Sequence, residues 1–148
     1  VYGWMLDHLG GKVPIYLGNI LFIISVAVFL FSGSVLGVIG VTWVYIFFAI
    51  GRSMAFSNTM AYGLKKMDSH YESDANALYN TGQQVMGAIG TTVLALMMSS
   101  VQVPGNTHVQ NVAAGSRLAF ATLLIIGLVN MVLYWKLFKV TSGKINSK

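Results

Sequence analysis

Residues 13–31 read VPIYLGNILFIISVAVFLF, and no charged side chain interrupts them. About 20 mostly apolar residues suffice for a helix to cross a bilayer, so this run is predicted to span one. Just before it, residues 3–12 read GWMLDHLGGK, a charged turn punctuated by glycines. Just after it, Ser32-Gly33-Ser34 makes a short polar break. Three further apolar stretches follow, predicted at 36–62, 75–101 and 118–137. The connections between them are 63–74 and 102–116, the second holding the turn signal Pro104-Gly105-Asn106. Residues 1–12 are expected to form a loop and residues 138–148 a tail. The expected fold class is an all-α membrane protein with four transmembrane helices.

Composition agrees. Apolar residues make up 55% of the chain and charged residues 9%, with a mean hydropathy of +0.69. A soluble domain carries roughly 25% charged residues, so lipid is the expected solvent here. The net charge of +5 is explained by lysines at membrane edges rather than by a nucleic-acid partner. There are no cysteines, which excludes disulfides and thiolate metal sites. His8, His70 and His108 are scattered without metal-ligand spacing, and no nucleophile elbow or phosphate loop is present. No cofactor and no enzymatic activity are expected.

The lysines also orient the chain. With Lys12 in the cytoplasm, alternation puts Lys65, Lys66, Lys136, Lys139, Lys144 and Lys148 on the same side, and only Arg117 opposite. The positive-inside rule then places the C-terminus in the cytoplasm. Tyr134 and Trp135 beside Lys136 read as belt aromatics at the interface.

Two spans carry polar groups that hydrocarbon would penalise. In the third, a projection at about 100° per residue puts Asn76, Asn80, Gln83, Gly87, Gly90 and Thr91 on one side and Leu78, Val85, Ile89 and Leu96 on the other. Amides cost several kcal/mol each when they lose water without a partner, so this face is expected to meet protein or a wet path. Gly87, Gly90 and Thr91 suit a helix-packing seam. Asn80 and Gln83 suit either a seam or a substrate path, with Gln84 at the edge of the face. In the second span, Arg52 lies about 11 residues before Gly63, roughly 16 Å from the inner edge at about 1.5 Å per residue. That is near mid-depth, where a lone arginine costs about 2.5–3.5 kcal/mol on insertion scales. Arg52 is therefore expected to face the bundle interior or water, lining a path with Asn58 and Thr59, pairing with a carboxylate, or bonded to backbone carbonyls of a neighbouring helix. No acidic residue falls inside any expected span.

The turn at 3–12 resembles the cytoplasmic loop motif of the major facilitator superfamily of transporters. Gly3, Asp7, Gly10 and Lys12 fall on its pattern, while His8 and Gly11 stand where bases are commoner. The run NTGQQVMGAIGT at 80–91 resembles the penultimate span of the fourteen-span drug:proton antiporter branch, and Gly115-Ser116-Arg117-Leu118-Ala119-Phe120 resembles the start of the closing helix there. Residues 51–58 depart from that branch, because they lack the proline common in it. The resemblance implies that the four spans are part of the C-terminal six-helix bundle of a major facilitator fold. It implies a C-terminal piece of a longer protein whose missing N-terminal helices complete the bundle. The implied activity is efflux of a small hydrophobic or cationic substrate against protons, across a bacterial plasma membrane. The coupling carboxylate would then lie upstream of Val1.

The rival readings are a stand-alone four-helix exporter, which would need an acidic residue in a span, and a membrane scaffold subunit without transport. By resemblance, Asp7 and Lys12 belong to a loop that latches one helical half against the other. Asp7→Asn in the intact protein is expected to slow transport without abolishing membrane insertion; unchanged transport kinetics would contradict the latch.

Overall fold

The computed structural model describes residues 12–33 and 35–145, with side chains described through Lys139. Of the motif loop, Gly3, Asp7 and Gly10 lie outside the described residues, and Lys12 opens the first helix. Four helices follow one another: α1 (Lys12–Ser32), α2 (Val38–Leu64), α3 (Glu72–Ser100) and α4 (His108–Ile145). A short 3-10 turn at Ser69–Tyr71 leads into α3, where the Asp68 carboxylate accepts a hydrogen bond from the His70 backbone N–H. Glu72 and Asp74 occupy the first turn of α3, where acidic side chains complement the helix dipole.

The hub is α1, which packs against both α2 and α4. Its contact with α2 is backbone on backbone. A Cβ added to Gly18 would stand 2.5 Å from the Ala55 backbone nitrogen and 2.9 Å from the Gly51 carbonyl oxygen. A Cβ on Gly51 would meet the Phe22 nitrogen at 2.7 Å and the Gly18 oxygen at 2.9 Å. Both glycines are buried. In lipid, apolar side chains gain little by leaving one apolar medium for another, so close backbone approach supplies much of the attraction between helices. Pro14, Ile15, Asn19, Ser25 and Val26 of α1 are buried along with Gly18. On its other side α1 meets α4, where Gly127 lies beneath Phe22 and Ile23 and Phe29 stacks on Phe120 at 5.1 Å.

Helix α3 stands apart. It touches α4 where Gly115 lies on the backbone of Met98, and it reaches α2 where the Tyr79 hydroxyl fills the space above Gly63. Its length of 29 residues is enough to cross a bilayer. Its amides, hydroxyls and carboxylates nevertheless make it more polar than the other three, and only α1, α2 and α4 have the apolar composition of membrane spans. Of the four expected spans, three have both the length and the apolar composition of a membrane-crossing helix, and α3 has the length.

Two boundaries differ from expectation. The last helix begins at His108, not at Leu118. Thr107 and Gln110 form a capping box there: the Gln110 backbone N–H donates to the Thr107 hydroxyl at 3.3 Å, and the Thr107 N–H donates to the Gln110 side-chain oxygen at 3.0 Å. Asn111 fastens the preceding turn by bonding both the N–H and the C=O of Val103. Gly105 supplies the positive φ, +100°, that this turn requires. The same helix runs on to Ile145, through the segment expected as a tail.

Phe138, expected to open that tail, is buried. Its ring lies 5.5 Å from Tyr16 of α1, 5.6 Å from Tyr62 of α2 and 6.1 Å from Tyr134 of α4, with the Lys12 ammonium 5.6 Å from its centroid. Lys66 sits over Tyr62 and Lys139 over Trp135 in the same way. The start of α1 and the ends of α2 and α4 therefore share one end of the bundle, marked by lysines over aromatic rings. Away from it the helices expose large apolar side chains along their length, including Phe31, Ile39, Trp43, Ile125 and Leu133. A continuous apolar surface of this kind suits acyl chains rather than water.

Gly18→Ala and Gly51→Ala are each expected to destabilise the protein, because the new methyl group meets main-chain atoms that cannot rotate away. Overpacking of this kind costs about 1–3 kcal/mol, enough to lower the melting temperature of the detergent-solubilised protein measurably. Equal or higher melting temperatures would refute the crossing.

Candidate functional site

Polar side chains inside apolar helices need partners, and most of them find one in the preceding turn. The Ser25, Thr42, Thr59, Thr91, Thr92 and Thr122 hydroxyls all donate to the carbonyl four residues back. The amides of Asn19, Asn58 and Asn80 do the same, to Ile15, Met54 and Asn76. The hydroxyls can therefore enter hydrocarbon without an orphaned donor, and each of these amides has at least one of its two N–H groups bonded.

A smaller set of polar groups reaches across helices, and they converge on one cleft. It has a volume of about 250 Å³ and opens between α1, α2 and α4, with Tyr79 of α3 at its rim. Asn19 of α1, only 3% exposed, accepts through its side-chain oxygen from the Asn130 amide of α4 at 3.4 Å. The Thr59 hydroxyl of α2 lies 2.8 Å from the Tyr134 hydroxyl of α4. Arg52 lines the same cleft, beside the Gly51 contact at the middle of α2. Phe22, Phe56 and Leu123 supply apolar wall.

The geometry follows from the helix crossing. Gly51 is buried against α1, and Arg52, the next residue, is rotated by about 100° on a helix of 3.6 residues per turn. That rotation turns it out of the α1–α2 contact and into the cleft. Residues 52, 55, 56 and 59 share this face at spacings of three and four.

Of the residues expected on a substrate path, Arg52 and Thr59 are brought together here. Asn58 is 1% exposed and bonded to its own helix, and it does not line the cleft. Gln83 lines an adjoining groove between α2 and α3, which shares Phe56 and Tyr79 with the cleft. Asn80 is bonded to Asn76 through both main chain and side chain, and both Asn80 and Gln84 are exposed. Gly87 and Gly90 have no described atom within 4 Å of an added Cβ, so the small face of α3 is open in this chain. Thr91 is exposed and bonded to the Gly87 carbonyl.

Three cleft residues escaped the sequence reading. Asn19 and Asn130 are lone amides in otherwise apolar runs, a signal as clear as that of Arg52. Tyr134, read as a belt aromatic, turns inward to Thr59, while its neighbour Trp135 faces outward at 56% exposure beneath Lys139. Among the described residues no group of His, Asp or Glu is placed to hold a metal.

Helices that expose their apolar sides and gather polar side chains into a shared interior cleft define a multi-pass membrane protein. The sequence model of the Major Facilitator Superfamily matches residues 1–91, more than half of the chain. The chain belongs to that superfamily, and so to a family of transporters rather than enzymes. It is 31% identical over 93 residues to the lincomycin resistance protein LmrB of Bacillus subtilis (strain 168), over 56% of this chain. That match spans 19% of the relative's length. No solved structure matches the chain.

The two cross-helix links to α4 can be weighed by a double-mutant cycle. Thr59→Val combined with Tyr134→Phe is expected to show a coupling of about 0.6 kcal/mol, with about 1.7 kcal/mol as the upper range for such bonds in membranes. Strict additivity of the two single effects on unfolding would show that the hydroxyls do not meet.

Proposed function

We propose that this chain forms part of the C-terminal six-helix bundle of a fourteen-span, proton-coupled efflux permease. Its substrates are drugs or other hydrophobic small molecules, and it sits in a bacterial plasma membrane. The observation that carries this reading is the cleft: Arg52, at the middle of α2, lines it together with Thr59, Asn19, Asn130 and Tyr134, between helices that are otherwise apolar. Ionisable groups at that depth are expensive and mark transport paths. The similarity to a protein named for lincomycin resistance favours drug efflux within the superfamily.

In this reading the lysine-bearing end of the bundle and the C-terminus face the cytoplasm. The loop with Gly3, Asp7, Gly10 and Lys12 latches the two halves of the transporter. The face of α3 that carries Asn80, Gln83, Gln84, Gly87, Gly90 and Thr91 packs against, or shares a path with, helices outside this chain. Transport proceeds by rocking of two helical bundles about a central site. The described acidic residues Asp68, Glu72 and Asp74 lie before α3 or in its first turn. The carboxylate that binds the coupling proton therefore belongs to another part of the protein.

The test is drug accumulation in cells carrying the intact gene. Efflux is expected to collapse when a protonophore is added. Arg52→Ala is expected to cut efflux about tenfold or more at unchanged membrane abundance, as loss of a charged hydrogen bond would. Efflux that ignores both the protonophore and Arg52→Ala would refute the proposal.

A further inference from the structure

Four neutral polar side chains of the cleft, Asn19, Thr59, Asn130 and Tyr134, are already paired with one another or with their own helices. Asn130 donates to Asn19, Asn19 donates to the Ile15 carbonyl, and Thr59 and Tyr134 share a hydrogen bond. Arg52 differs from all of these. Its guanidinium carries five N–H donors and no acceptor, so it cannot be satisfied by another donor. No carboxylate lines the cleft, and Arg52 forms no ion pair among the described residues. It is also the only formal charge among the cleft-lining residues, beside an apolar wall of Phe22, Phe56 and Leu123.

We propose that Arg52 makes this cleft selective for an amphiphile with an anionic, acceptor-rich end, such as an aromatic carboxylate, and selective against organic cations. The proposal rests on the transporter reading and gives that site a substrate class. A carboxylate matches the planar guanidinium with two parallel N–H···O bonds. The apolar walls take the rest of the molecule. The same charge repels an ammonium group as it attracts the anion. The cationic substrates implied by the resemblance are thus the class this cleft is least suited to hold. Asn130 and Tyr134, tied to α1 and α2, act as positioning residues that keep the opposite wall in place.

The experiment uses the purified full-length protein in nanodiscs and three probes with one apolar body: naphthalene-2-carboxylate, its methyl ester and (2-naphthylmethyl)trimethylammonium. Equilibrium dialysis reads binding. The carboxylate is expected to bind about tenfold or more tighter than either of the others, as a charge-assisted bond would give. Arg52→Gln should erase that advantage and bring the carboxylate and its ester to similar affinities, while Arg52→Lys, which keeps the charge but loses the fork, should retain part of it. Tightest binding of the ammonium probe overturns the proposal. So does a carboxylate advantage that survives Arg52→Gln. Equal binding of all three by the unaltered protein, the result expected if a carboxylate elsewhere in the protein holds Arg52, overturns it as well. The unaltered protein alone decides the matter if Arg52→Gln does not fold. Protonophore-sensitive efflux is measured separately: its loss with the anion preference intact counts against the transporter reading, and its persistence without that preference counts against this inference alone.

Discussion

The closeness of α1 and α2 at Gly18 and Gly51 sets the geometry of everything around it. Each glycine leaves room for the other helix's main chain, and a single methyl group at either position would fall within 3 Å of backbone atoms. With no water to expel, the helices are held by this contact surface and by hydrogen bonds between them. The crossing fixes which residues of α2 point away from α1. Arg52, Phe56 and Thr59 are the ones that then face α4 across a narrow space. Gly127 plays the matching part on α4, lying under Phe22 and Ile23 so that α4 can approach α1 from its other side.

Within this frame the polar side chains divide by how they are satisfied. Hydroxyls and amides that bond the carbonyl one turn back cost little in lipid, and they occur on exposed and buried faces alike. The cross-helix pairs Asn19–Asn130 and Thr59–Tyr134 tie α4 to α1 and α2. Arg52 belongs to neither set: it is exposed at the cleft, forms no ion pair among the described residues, and its guanidinium offers donors only. The step from fold to function rests on that distinction, since superfamily membership alone does not say what the cleft accepts.

Much of this was legible in the chain. The apolar runs marked α1, α2 and the core of α4, and the mid-span position of Arg52 singled out a residue that lines the cleft. The start of α4 was legible too, because Thr107-His108-Val109-Gln110 is a capping box; the turn signal before it and the polar character of residues 106–117 hid it. What could not be read was pairing. A lone Gly18 or Gly51 says that a backbone can come close, but not which one does. Tyr134 and Trp135 are adjacent, so they point about 100° apart; only the position of α2 decides which of them turns inward. The amphipathic reading of α3 meets a different limit, because Leu78 and Leu96 on one side and Gln83 and Gly87 on the other are all exposed in this chain.

The backbone contact is most directly tested without altering the sequence. Magic-angle-spinning NMR on full-length protein in lipid, with glycine and alanine ¹³C-labelled at Cα, reads short Cα–Cα distances. The account expects a cross-peak between Gly18 and Ala55, on different helices, at least as strong as the one between Gly51 and Ala55 within α2. A spectrum with the second peak and without the first would mean that α1 and α2 do not cross here, and the cleft built on that crossing would fall with it.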